Sequence, residues 1–255
     1  MKNFIDRLLR NPISFEITAI FVYAFYCVLF AAAAIPAALL IRFGWTIELG
    51  GGALELISFV LICSLAFYVF LVSCAVFIGF FERLLTLGLK AGEYPVGSSV
   101  FFRWLMYSGL HLWMVNLILP FIRGNNWIKI YLRISGAKVG REVFVNTKEI
   151  YDAYLLEIGD NVIVGGDAFL NCHLFENGKL ILGKIKLGDG TVIGGKAYIT
   201  PGVYTGKNSK IGIHTYLRRN TKIRDGESVA SLPGMSIRQI AKLMNAEQKK
   251  DKNSL

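Results

Sequence analysis

Histidine, cysteine and acidic side chains are all scarce in this sequence, with 3 His, 4 Cys and 18 Asp and Glu among 255 residues. Cys27, Cys63 and Cys74 lie inside apolar runs and Cys172 stands alone far downstream, so no spacing suggests a disulfide framework or a zinc site. That usage fits a reducing, cytoplasmic side for the polar half of the chain. The acidic residues are outnumbered by 28 Lys and Arg, which leaves a formal charge of +10. Such a balance has three ordinary explanations: nucleic acid, an anionic membrane surface, or the cytoplasmic loops of a membrane protein. No aromatic interleaving and no recognition helix accompany the basic residues, which argues against nucleic acid as a partner. Charged residues make up only 18% of the chain while hydrophobic residues reach 54%, with a mean hydropathy of +0.48. A soluble globule usually carries less, so part of this chain belongs in lipid.

Two stretches are long enough to span a bilayer. From Ile17 to Ile41 there are 25 residues without a formal charge, and from Leu56 to Phe81 there are 26. Each can cross a hydrocarbon core about 30 Å thick. The first could be a cleaved signal, but its run continues through Pro36 to Ile41, beyond the usual length of a signal core. Lys2, Arg7 and Arg10 precede the first stretch, and Arg83 and Lys90 follow the second. The positive-inside rule therefore places both ends of this hairpin, and the polar half of the chain, on the cytoplasmic side of the cytoplasmic membrane. A third stretch, Trp104 to Ile122, is uncharged but contains His111, Asn116 and Pro120 and is bracketed by Arg103 and Arg123. It reads as a helix lying in or dipping into the interface; a true third span would instead put the C-terminal half outside.

Around Trp127 the long apolar runs stop and aliphatic residues return on a fixed period. Every sixth residue from Leu187 gives Leu187, Ile193, Ile199, Thr205, Ile211, Leu217, Ile223 and Val229, with Thr205 the one that is not aliphatic. Upstream, the same spacing links Val139 with Val145 and, after a slip of one residue, Ile158, Val164 and Leu170. Glycine follows many of these positions, as in Val139-Gly140, Ile158-Gly159, Leu187-Gly188, Ile193-Gly194 and Ile211-Gly212. A period of six with an aliphatic residue followed by a small one is the pattern of a parallel β-helix with three short strands per coil. The aliphatic side chain points into the prism, and glycine beside it is expected to tolerate a corner conformation that a Cβ would hinder. About five coils are expected, enough to bury one another's apolar faces.

The register breaks once. Between Leu170 and Leu187 the period would aim Glu176 into the apolar prism, so residues 173–183 are expected to leave the coil. His173 to Leu182 reads as a hairpin with Asn177-Gly178 as its tight turn. After the last hexad, Ser236 and Gln239 form a capping-box pattern, and Ile237, Ile240, Leu243 and Met244 share one helical face. The expected architecture is a membrane α-helical hairpin of two spans plus a third membrane-associated helix (residues 1–125), a left-handed parallel β-helix (126–235), and a C-terminal capping helix and tail (236–255).

The hexads from Val139 to Val229 resemble the hexapeptide-repeat transferase superfamily. Residues 158–202 are also similar to the terminal membrane domains of synthetases related to the nonribosomal peptide type, including those that make poly-amino acids, where a comparable His-Leu-Phe-Glu recurs. The resemblance implies a left-handed β-helix, a homotrimer, and acyl transfer from acyl-CoA or a carrier-protein thioester to a hydroxyl or amine. Unlike those synthetases, the chain carries no adenylation or carrier domain, so a donor would arrive as CoA or on a separate acyl or peptidyl carrier protein. No bound cofactor or metal is implied, and membrane lipid is the remaining partner.

Acyl transfer from a thioester needs a base for the attacking hydroxyl or amine, and histidine suits the task because its pKa lies near neutrality. His173 stands where the chain leaves the coil, beside Asn171 and Glu176, either of which could fix its tautomer or hold the acceptor. His173 is the expected base with Glu176 beside it, although a histidine ending a coil in solvent would look the same in sequence. His214 is the second candidate, as base or as donor contact. Lys207, Arg218 and Arg219 belong to a basic cluster in the last coils that could hold the phosphates of CoA or form a solvated or membrane-facing surface. Cys172 adjoins His173, but neighbouring strand residues point to opposite faces, which favours packing over a nucleophilic role. A metalloenzyme built on this fold would need three histidine ligands on neighbouring coils, and only His173 and His214 are there. A non-catalytic membrane scaffold for a biosynthetic complex is the alternative function.

Overall fold

The computed structural model describes residues 12–47 and 52–230. The expected C-terminal helix over 236–255 and the basic residues before the first span lie outside the described residues. Helix α1 (Pro12–Trp45) and helix α2 (Ala53–Thr86) form the expected apolar hairpin. After strand β1 (Gly92–Pro95), helix α3 (Ser99–Trp113) starts at Ser98, whose hydroxyl accepts from the Phe101 amide. It runs on through a π-helical turn (Met114–Ile118) into α4 (Leu119–Ile122). Pro120 has no N–H to offer the preceding turn, and a π-helical turn is one way a helix absorbs that loss. The continuous stretch Ser99–Ile122 is 24 residues, so among the described residues three helices rather than two are long and apolar enough to cross a membrane.

Helix α5 (Asn126–Ile134) closes the helical region against α2. At their meeting point lies a buried polar knot. Glu82 accepts from the Tyr131 hydroxyl (2.6 Å) and the Ser135 hydroxyl (2.9 Å), and faces His111 Nδ1 at 3.1 Å. The other ring nitrogen of His111 donates to the Ile150 carbonyl at 2.8 Å. Both nitrogens therefore face acceptors, an arrangement that suits an imidazolium held by its own carboxylate. A buried carboxylate with this many donors is compensated, whereas losing a partner would strand it.

The β-helix follows. Strands β2 (Lys138–Val139), β5 (Leu156–Ile158), β10 (Ile185–Leu187), β13 (Tyr204–Thr205) and β16 (Lys222–Ile223) form one parallel sheet. Strands β3 (Phe144–Val145), β6 (Ile163–Val164), β11 (Val192–Ile193), β14 (Lys210–Ile211) and β17 (Ser228–Val229) form the second. Strands β4 (Ile150–Tyr151), β7 (Phe169–Asn171), β12 (Tyr198–Ile199) and β15 (Tyr216–Leu217) form the third. Three parallel sheets visited in turn are consistent with the left-handed β-helix expected.

Register follows the hexads. Leu187 pairs with Thr205 and Thr205 with Ile223, one coil apart, so each inward residue stacks on its equivalent above and below. The exception, Thr205, is fully buried, and its hydroxyl lies 3.1 Å from that of Thr191, which in turn lies 3.2 Å from that of Ser209. A polar residue is tolerated in the prism because its hydrogen bonds are made there.

The glycines have a different reason from the one expected. Gly188 and Gly194 do not take positive φ; a Cβ on either would come within 2.6 Å of the backbone of Gly206 or Gly212 one coil along. Close approach of stacked coils, rather than corner conformation, demands them. The left-handed conformations fall instead on residues such as Asn161, Asn208 and Asn220, a type that tolerates that region.

The break in register is an excursion. Ile158 pairs with Leu187 across a 29-residue interval, and removing the 11 residues of 173–183 restores the 18-residue coil. Gly183 N–H donates to the Cys172 carbonyl at 2.8 Å, which closes the neck. Strands β8 (His173–Glu176) and β9 (Lys179–Leu182) pair antiparallel with Glu176 opposite Lys179. Asn177 (φ 50°) and Gly178 (φ 70°) make the tight turn. β1, from the connection between α2 and α3, adds to β9 as a third strand. This small sheet lies across the junction between the helices and the coils.

Candidate active site

The excursion presents His173 at its base, beside the first coil. Strand alternation puts His173 and Phe175 on one face of the hairpin, and their cross-strand partners Leu182 and Leu180 on the same face. Leu180 and Leu182 are buried, and Trp104 lies against both His173 and Phe175, so this face meets helix α3. Trp104 of α3 packs edge-on against the His173 ring at 4.8 Å, with Tyr151 at 6.2 Å and Phe175 at 6.4 Å.

Beneath the imidazole lies Asp152. Its Oδ2 is 2.6 Å from His173 Nδ1, and its Oδ1 accepts from the Trp104 indole N–H at 2.8 Å. Asp152 is 1% exposed, whereas the His173 side chain keeps 19%. An ionised carboxylate there accepts from Nδ1–H and leaves Nε2 as the basic nitrogen, which makes no hydrogen bond among the described residues. A buried acceptor behind an imidazole whose far nitrogen is unengaged is how a general base is oriented.

The structure brings together only part of the expected set. Asn171, nearly buried, accepts from the backbone N–H of His173 at 3.4 Å, so it meets the main chain and not the ring. Glu176 is not the partner of His173. It lies three residues along the same strand, hence on the opposite face, and accepts from Arg219 Nη1 at 2.8 Å. Arg219 also reaches Glu93 at 3.5 Å, and Glu93 pairs with Lys179 at 3.1 Å, so these four side chains tie the hairpin to the coils. Lys179 and Arg219 hold the Glu93 carboxyl below its ordinary range. Lys207 pairs with Asp189 at 3.1 Å, and Arg218 is exposed. His214 occupies an exposed coil corner with φ 54°, its backbone N–H donating to the Gly195 carbonyl. Cys172 is fully buried, and burial, followed by the nearby Asp152, pushes its thiol pKa well up.

Sequence reasoning missed Asp152, Trp104 and Tyr151. One signal for Asp152 was present. The one-residue slip between Val145 and Ile158 is where the chain makes a short 3₁₀ turn (Ala153–Leu155) headed by Asp152 in the left-handed region, φ 60°. No comparable signal marks Trp104, which reaches the site from a separate helix.

No family model matches the chain. A curated relative, Delta-poly-L-ornithine synthetase of Acinetobacter baumannii (strain AB307-0294), is 28% identical over 193 residues, 74% of this chain. The aligned segment spans 14% of that protein. Among solved structures, a maltose O-acetyltransferase from Clostridium difficile 630 aligns at 19% identity and TM-score 0.43, covering 60% of this chain and 93% of its own. A galactoside acetyltransferase in complex with coenzyme A aligns at 20% identity and TM-score 0.43, covering 59% and 87%. A hexapeptide-repeat acetyltransferase from Vibrio cholerae O1 biovar eltor, complexed with acetyl coenzyme A, aligns at 17% identity and TM-score 0.44, covering 62% and 97%.

Proposed function

We propose that this protein is a membrane-bound acyltransferase that moves an acyl or aminoacyl group from a thioester to a hydroxyl or amine, with His173 as general base. The observation that carries the reading is the buried Asp152 carboxylate behind His173 Nδ1. In the reaction, His173 Nε2 takes the proton from the acceptor while its oxygen or nitrogen attacks the thioester carbonyl carbon. The C–S bond then breaks, and the thiolate leaves with a proton returned from the imidazolium. Asp152 holds the ring in the productive tautomer and offsets the charge it gains, a contribution of roughly 10²- to 10⁴-fold in rate for the base as a whole.

The donor is acyl-CoA or a carrier-protein thioester, and the similarity to a poly-ornithine synthetase makes an aminoacyl group and an amine acceptor one form of the reaction. Of the basic residues expected to meet phosphates, Lys207 and Arg219 are already ion-paired, so Arg218 is the one placed to do so without breaking a bridge. Helices α1 and α2 would span the cytoplasmic membrane and Ser99–Ile122 would lie in or dip into its interface, which keeps the β-helix on the cytoplasmic side, and three chains would assemble about a threefold axis. The test is acceptor-dependent thiol release by the full-length protein in nanodiscs. The donors are acetyl-CoA and an ornithinyl-pantetheine thioester, and the acceptors are L-ornithine and glycerol. Release that rises with acceptor supports the reading; none from either donor with either acceptor favours a scaffold.

A further inference from the structure

Helix α3 meets the first coil along one face. Trp104, Tyr107 and His111 follow at spacings of three and four residues, which aligns them in a row on a helix. Each touches the same short stretch of the coil. Trp104 donates to Asp152 Oδ1 at 2.8 Å, and the Tyr107 ring meets that of Tyr154 edge-on at 5.5 Å. His111 donates to the Ile150 carbonyl at 2.8 Å and its ring meets Tyr151 at 5.5 Å. The helix thus grips residues 150–154 at both ends of the stretch that carries Asp152.

That stretch needs a grip. Asp152 combines a left-handed backbone (φ 60°) with almost complete burial of a carboxylate, and each costs free energy without external support. From behind, His111 is fixed by Glu82, itself held by Tyr131 and Ser135, so the row cannot slide along the coil without breaking buried bonds. A slip of α3 by one residue brings a rotation of about 100° with its rise of about 1.5 Å, and would turn the Trp104 indole away from Oδ1.

We propose that α3 is the positioning element of the base: Trp104 and His111 are positioning residues that hold Ile150–Asp152 so that the second carboxylate oxygen meets His173 Nδ1. This rests on the reading of His173 as general base. Pinning Oδ1 with an indole N–H fixes the rotation of the carboxylate and therefore the direction of Oδ2. It also supplies the ionised form with a donor where little water reaches. The alignment of the base is then set by a helix of the apolar region and not by the β-helix alone.

The experiment compares full-length wild type, Trp104→Phe and His111→Gln in nanodiscs, with Leu112→Ala as the control from the same helix. Leu112 is exposed and lies outside the row, so its truncation leaves the grip intact. Two readouts are taken: kcat and KM with acetyl-CoA and L-ornithine, and the ¹⁵N spectrum of the His173 ring, assigned with His173→Ala. Trp104→Phe should lower kcat roughly 10- to 100-fold, the range for losing a hydrogen bond to a charged group. KM should stay unchanged, and the ring should pass from the Nδ1–H tautomer to a mixture. His111→Gln should move both readouts in the same direction, which keeps the test alive if Trp104→Phe does not fold. An active wild type with both variants at its rate and both rings still Nδ1–H overturns the positioning role. A wild type without acceptor-dependent transfer overturns the base reading instead, and the tautomer measurement still decides whether α3 orients His173.

Discussion

Replacing Asp152 with Asn tests the site at the point where its geometry is most demanding. The carboxylate offers two acceptor oxygens, one taken by Trp104 Nε1–H and the other by His173 Nδ1–H. A carboxamide of nearly the same shape offers one acceptor and two donors. Whichever way it turns, one N–H loses its acceptor. If the amide oxygen keeps Trp104, its NH₂ faces Nδ1 and drives His173 into the Nε2–H tautomer, so the basic lone pair points away from the acceptor. If it turns the other way, its NH₂ meets the indole N–H in a nearly dry site. Asn tolerates the left-handed backbone, so the fold should survive. Losing the base through its tautomer should cost most of what the base contributes, a fall in kcat of roughly 10²- to 10⁴-fold, or about 3 to 5 kcal/mol of barrier. Thiol release from acetyl-CoA with L-ornithine in nanodiscs gives the rate, and a thermal melt of the same sample checks folding. A folded Asp152→Asn protein that transfers at the wild-type rate would refute the assignment of Asp152 as the partner that orients His173.

Glu176→Gln should change kcat by less than about threefold, because Glu176 lies on the opposite face of the hairpin; its half-exposed bridge to Arg219 should also contribute no more than about 1 kcal/mol to a denaturant-unfolding curve. Cys172 should resist iodoacetamide at pH 8 in the folded protein and react once unfolded, since burial raises its thiol pKa; mass spectrometry of the labelled peptide reads this. Partial burial alone would raise the Glu157 carboxyl, but Lys186, Lys138 and Lys184 outweigh it and hold the group at about 2. A depressed folded pKa contributes stability that is complete above the unfolded value of about 4.3 and fades as pH falls through the folded one. Glu157→Gln should therefore flatten the acid limb of a stability-against-pH curve between those limits.

The hexad period determined the prism because each coil must bury its inward ladder against the next, and that requirement writes itself into every sixth residue. The excursion at 173–183 was legible for the same reason: Glu176 could not point inward, and Asn177-Gly178 supplied the turn. Glu176 as partner of His173 was a misreading that strand alternation alone could have prevented, since residues three apart face opposite ways. Asp152 was marked only by a slip of one residue, which signals extra chain but not its direction. Trp104 and the Glu82–His111 pair were beyond reach, because a contact between a helix and a coil 48 residues later, or between two helices at a separation of 29, leaves no period in the sequence. β1 was hidden likewise: a four-residue strand, Gly-Glu-Tyr-Pro, pairs only because β9 presents an edge to it.

The central claim is that His173 is the base of an acyl transfer, and its most direct test is the rate of His173→Ala. In nanodiscs, with acetyl-CoA or ornithinyl-pantetheine as donor and L-ornithine as acceptor, acceptor-dependent thiol release should fall roughly 10²- to 10⁴-fold. The protein should stay folded with its wild-type oligomeric mass, and its melting temperature should fall modestly, because alanine removes the hydrogen bond to Asp152 and the ring contact with Trp104. A folded His173→Ala protein that transfers the acyl group at the wild-type rate would contradict the account.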